Sequence, residues 1–159
     1  MTDTLKSICE QCPHLNNPRL DFIPIELSRH REIILRDLKG LVSAASDEAE
    51  LEKTVTVLAG TLLEAVLYTF LQSQQDYIAG FGFTFNPQGR LSRYVDIFNT
   101  SFKDILPKAV LPNWVVEHRN LVHINRELNS PRGICANASR DMLRILNTLL
   151  GELSQFASP

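Results

Sequence analysis

The stretch from Leu51 to Tyr77 constrains the fold more than any other. Leu51, Val55, Leu58, Leu62, Val66 and Phe70 recur at helical spacing, and near Gly60 the pattern turns apolar on almost every face. A helix that is apolar all round has to be wrapped by other elements, so this is the expected central helix. Ser46 is its expected N-cap, and Asp47, Glu48, Glu50 and Glu52 suit the positive end of its dipole. Thr56, Gly60, Thr61 and Glu64 interrupt the run from Val55 to Leu71, so no membrane span is expected. Gly60 costs about 1 kcal/mol against alanine in a helix interior, and close approach of a neighbouring helix is the usual compensation. Glu64 is an acid inside the apolar run and needs a base; Arg119 is the expected partner.

The flanking sequence supplies the wrapping. A helix is expected from about Pro24 to Ala45, with Leu27, Ile34, Leu38, Leu41 and Val42 on its apolar face. Three more are expected over Leu91–Ile105, Trp114–Leu128 and from Asn137 or Ser139 to Phe156. Asn129-Ser130-Pro131-Arg132-Gly133 marks the break before the last. Residues 79–90 alternate Phe81, Phe83 and Phe85 between glycines, which predicts a short irregular or hairpin arm whose rings tuck over the core. Pro13, Pro18 and Pro24 break up residues 1–24, which read as an irregular leader. The expectation is an all-α up-and-down bundle of about five helices, one domain over residues 25–159.

Charge narrows the function classes. The net charge of −2 carries no global mark of nucleic-acid binding, but its distribution is uneven. Residues 1–76 hold 7 Lys+Arg against 12 Asp+Glu, and residues 77–159 hold 9 against 6, so an anionic ligand should prefer the C-terminal half. Three cysteines and no apolar signal core make a cytoplasmic protein the expectation. Cys9-Glu-Gln-Cys12-Pro-His14 has the spacing of half a zinc site, but no second C-x-x-C or H-x3-H pair follows. A zinc-stabilised regulator using Cys9, Cys12 and His14 is one alternative; otherwise neither metal nor cofactor is expected.

The polar chemistry concentrates in W-V-V-E-H-R-N-L-V-H-I-N, residues 114–125. Arg119 and His123 are four apart and would share one helix face, with Asn120 directly after the arginine. His118 is adjacent to Arg119 and points elsewhere on a helix. A guanidinium offers a fixed fork of donors to phosphate, and an imidazole titrates near ~6.5, suited to moving a proton from an RNA 2′-hydroxyl.

The order of elements and these residues resemble the HEPN superfamily of small all-α bacterial domains. The resemblance rests on Gly60, Leu63 and Glu64 and on Arg119, Asn120, Leu121, Val122 and His123, within an architecture spanning residues 25–156. It implies a homodimer acting on RNA in a toxin–antitoxin or defence setting, with an antitoxin or other protein as a further partner. Many such domains are metal-independent endoribonucleases. Carried over, Arg119 would clamp the phosphate, His123 would serve as general acid or base, and Asn120 would orient one of them. The chain departs from the nuclease signature in placing three residues, not four to six, between Arg119 and His123, which turns the histidine by about 100° on a helix. Ile124-Asn125 also stands where Pro or Gly often follows. A non-catalytic protein-interaction module, in which Arg119, Asn120 and His123 only tie helices together, is the alternative.

Overall fold

Residues 3–120 and 136–156 are described by the computed structural model, and every regular element among them is helical. In chain order these are α1 (Leu5–Glu10), α2 (Pro13–Asn16), a 3-10 turn (Ile25–Leu27), α3 (Ser28–Ala45), α4 (Glu52–Ser73) and α5 (Gln75–Ala79). There follow α6 (Leu91–Phe102), a second 3-10 turn (Pro107–Ala109), α7 (Trp114–Asn120) and α8 (Ala136–Phe156). The fold is an all-α helical bundle.

As its apolar pattern requires, α4 is central: it packs against α8, α3, α7 and α6. Eleven of its 22 residues are buried, among them Ala59, Gly60, Leu63, Leu67 and Phe70, so α4 is covered over most of its circumference. Its length and composition would also suit a bilayer crossing. Within the protein those apolar side chains meet other helices instead. A stripe with i, i+3, i+4, i+7 spacing stays partly open: Thr61, Glu64, Ala65 and Tyr68.

The N-terminal segment departs from the expected irregular leader. Thr4 caps α1 by accepting from the Ser7 N–H at 3.1 Å, and Pro13 occupies the first turn of α2, where its missing N–H costs nothing. Leu5, Ile8, Cys9, Cys12, Leu15 and Leu20 all join the main core, and α1 and α2 pack on α3 and α8. Residues 3–24 are therefore part of the helical body.

The start of α4 also differs. Ser46 does not cap it; the helix begins at Glu52, behind Leu51. Asp47 turns its carboxylate onto the Ala49 N–H (2.8 Å), and Glu50 takes a left-handed conformation (φ 50°), so the chain forms a turn where a helix start was expected. Glu50 and Glu52 then serve Arg140 of α8. That guanidinium is buried and bonds Glu52 Oε1 (3.1 Å), Glu50 Oε2 (3.3 Å) and, through Nε, the Asp3 carbonyl (2.6 Å). Ser139 also donates to Glu52.

At its other end α4 stops at Ser73, whose hydroxyl donates to the Phe70 carbonyl (2.6 Å), and α5 follows as a separate short helix. Gly82, at φ +85°, then closes α5: the Phe83 N–H bonds the Ile78 carbonyl and the Gly82 N–H bonds Ala79, a Schellman arrangement that favours glycine. The segment after it is irregular, with no hairpin. Phe83 lies beneath Arg93 (5.2 Å), Phe85 packs on Tyr68 and Tyr94, and Phe81 stays 46% exposed against Tyr77.

Candidate functional site

Two anchors bring α6 and α7 to the open stripe of α4. Asn99 of α6 uses both ends of its amide on Leu111: its oxygen accepts the Leu111 N–H and its nitrogen donates to the Leu111 carbonyl, each at 2.8 Å. This fixes the connector that leads into α7. At the start of α6, the Tyr94 hydroxyl donates to the Asn86 carbonyl (2.7 Å), and Tyr94 packs so tightly over Gly89 that a Cβ there would lie 2.8 Å from Cε1. Arg90, next in the chain, is thereby held at the mouth of a cleft.

The close approach expected at Gly60 is made by Arg119 itself. A Cβ on Gly60 would come within 2.9 Å of Arg119 Cγ and 3.0 Å of its Cβ, so only glycine lets α7 sit this near. The guanidinium then reaches Glu64, one turn along α4. Nε lies 3.2 Å and Nη2 3.1 Å from the same oxygen, Oε2. The expected Glu64–Arg119 pair is formed, and both side chains keep more than a quarter of their surface open.

Glu64 and Arg119 line a cavity of about 430 Å³ together with Arg90, Leu91, Ser92, Val116 and Asn120. Leu91 and Val116 give it apolar sides; the rest is polar. The N-terminus of α6 opens here with Arg90 as its cap residue, no side chain capping it and no acid in its first turn. The first N–H groups of a helix lack intrahelical partners and carry partial positive charge. Two guanidiniums, one carboxylate and a bare helix start therefore surround this cavity, a balance that favours an anion.

Of the sequence-predicted residues, Arg119 and Asn120 are brought to this cleft. His123 lies outside the described residues. His118 goes elsewhere: its ring packs on Trp114 (5.1 Å) and its Nδ1 is buried. The part played by Arg90, Ser92 and the α6 start was not anticipated. The readable signal is an arginine directly after the Asn86–Gly89 turn, where a helix start would ordinarily carry Ser, Thr, Asp or Asn.

The zinc alternative gains nothing from the geometry. Among the described residues no three metal-ligating side chains converge. Cys9 and Cys12 are buried core thiols, and His14 packs against Gly151 of α8, its Nε2 2.6 Å from where a Cβ would stand. Burial, reinforced by Cys9, pushes the Cys12 thiol up to about 11, and burial raises Cys9 too; both shifts oppose the thiolate a metal needs.

No protein-family profile, curated protein or solved structure matches the chain.

Proposed function

We propose that this chain is a HEPN-like helical domain that works as a homodimer and associates with RNA in a toxin–antitoxin or defence setting. One observation carries the RNA reading: Arg119 and Asn120 share a solvent-open cleft with Arg90 and the uncapped start of α6. Phosphate is the anion such a cleft suits, because guanidinium forks and backbone N–H groups both match its oxygens. In this reading Arg119 holds the phosphate while Glu64 fixes its angle, and Asn120 adds a hydrogen bond. His123, one helical turn further on if α7 continues, supplies the acid or base in those strands that are cleaved.

A second reading draws on the ion pair. Both nitrogens of Arg119 in contact with α4 go to Glu64, as they would in a clasp that only joins α7 to α4. In that protein-interaction module, Arg119 and Asn120 are structural.

Arg90 separates the two readings, since it is exposed and takes no part in the clasp. The experiment measures binding and cleavage of single-stranded RNA in EDTA by wild type, Arg90→Ala, Arg119→Ala and His123→Ala, with a thermal melt of each. RNA association that weakens in Arg90→Ala at unchanged melting temperature supports the cleft; loss of cleavage in a folded His123→Ala would make it a nuclease. No association by wild type, with Arg119→Ala melting several degrees lower, would leave the clasp.

A further inference from the structure

The open stripe of α4 floors a second concavity beside the first. Thr61, Ala65 and Tyr68 of α4 face His30 and Ile33 of α3 across a space of about 300 Å³, and Glu64 lines both this slot and the Arg119 cleft. The slot is almost wholly apolar in its walls. Ile33 remains 38% exposed there, so its side chain is accessible to a group in the slot.

The slot is also rimmed by rings. Tyr68 is held edge-on by Phe85 (5.1 Å, 77°) and Tyr94 (6.0 Å, 81°), so its orientation is fixed without being covered. The His30 ring lies nearly parallel to it at 6.0 Å and 19°. His30 Nδ1 is buried with no partner among the described residues, which leaves Nε2 as the nitrogen able to meet a ligand. Apolar walls, oriented rings and one or two polar atoms suit a flat heteroaromatic group.

Glu64 joins the two spaces. Its Oε2 takes both bonds from Arg119, which leaves Oε1 as the carboxylate oxygen open to a ligand. An ionised carboxylate accepts only, so a ligand group that meets this oxygen does so through a donor. In a nucleotide the group lying between base and phosphate is the ribose, whose 2′-hydroxyl is a donor that deoxyribose lacks.

We propose that the α3–α4 slot is the base pocket of a ribonucleotide site. The base lies among His30, Ile33 and Tyr68, the ribose hydroxyl donates to Glu64 Oε1, and the phosphate sits at Arg90 and Arg119. This inference rests on the RNA reading of the Arg119 cleft and goes beyond it by assigning a base, a sugar preference and three residues of α3 and α4. A free mononucleotide and a nucleotide within a single strand present the same chemistry.

The test is a competition measurement. Labelled five-nucleotide oligo(rA), checked for intactness on a gel, is displaced by unlabelled oligo(rA), oligo(dA) or 5′-AMP from wild type, Ile33→Asp, Glu64→Ala and Arg90→Ala. Ile33→Asp places a charge at the mouth of the slot from a partly exposed position, so the fold is kept, which a melt verifies. The expected results are an rA over dA preference of about tenfold, a loss of about tenfold in affinity for Ile33→Asp, and an rA/dA ratio near one for Glu64→Ala, which has no side-chain group to meet the ribose hydroxyl. Displacement by 5′-AMP at concentrations close to those of the oligonucleotide would identify the free nucleotide as the ligand; displacement by the strand alone would identify RNA. Equal binding of rA and dA by wild type, or an Ile33→Asp variant as tight as wild type, overturns the proposal. If Arg90→Ala still weakens binding in that event, the cleft reading survives without the base pocket; if wild type binds none of the three probes, both fall.

Discussion

Gly60 and Cys12 show how single residues set the limits of this fold. Gly60 is buried at the crossing of α4 and α7, and the atoms an alanine would strike include Arg119 Cβ, which cannot swing away as a side-chain tip could. Alanine gains about 1 kcal/mol of helix propensity, but overpacking costs typically 1–3 kcal/mol and here also drives Arg119 off Glu64. We expect Gly60→Ala to lower the melting temperature by about 2–6 °C and to weaken RNA association in step; a melting temperature at or above wild type would show that α7 gives way freely. Cys12 acts through pH. Its thiol goes from an ordinary 9.0 to about 11 in the folded protein because burial disfavours the thiolate, so the unfolded chain releases that proton first. Stability from this group is whole below pH 9 and is lost as pH climbs toward 11. Urea unfolding of wild type and Cys12→Ala at pH 8 and 11 should find the gap between them narrowing by roughly 1–2 kcal/mol; a constant gap would remove the linkage. At this scale the sequence was readable wherever a residue broke its own pattern. A glycine and an acid inside an apolar helix each demand a partner, and Arg119 answers both. Arg140 carried no such signal, because an arginine before an amphipathic run looks like any solvated residue.

Among the elements, α3, α4, α6 and α8 follow from periodicity because each is long enough to repeat its apolar face several times. Elements of four to six residues cannot repeat a period, which is why α1 and α2 were not legible and their prolines looked like breaks. Pro13 instead starts a helix, and the apolar residues between the prolines go to the core. The α4 start failed for another reason: Asp47, Glu50 and Glu52 do suit a helix N-terminus, but Asp47 closes a turn and the other two are drawn to Arg140. Tertiary pairing overrode a local preference. The consequence is testable. Deleting residues 1–24 removes Leu5, Ile8, Leu15 and Leu20 from the core and the Asp3 carbonyl from Arg140, baring apolar surface on α3 and α8. Each buried large side chain contributes about 1.5–3 kcal/mol, so these four together contribute about 6–12 kcal/mol, comparable with the roughly 5–15 kcal/mol that holds a typical domain folded. The truncated chain should lack a cooperative thermal transition by circular dichroism. A sharp transition near that of the full chain would restore the leader reading.

For the molecule as a whole, the candidate site is local while the charge is diffuse, and this fixes how the proposed RNA association should respond to salt. The chain carries −2 overall, and the N-terminal half is the acidic one. The cleft contributes Arg90, Arg119 and the start of α6 against Glu64, enough for one or two phosphates and no more. Each phosphate neutralised on a single strand contributes about −0.7 to the slope of log K against log salt. A cleft of this make-up therefore predicts a shallow slope of about −0.7 to −1.4, nearly independent of strand length beyond a few nucleotides. Arg90→Ala should flatten it further by about 0.7 while leaving the melting temperature in place. A wide basic surface would behave differently, with a slope of about −3 or steeper that grows with strand length. Such a result, with Arg90→Ala without effect, would place the RNA away from the Arg119 cleft. A shallow slope that Arg90→Ala reduces would tie association to the one place where α4, α6 and α7 meet around Glu64.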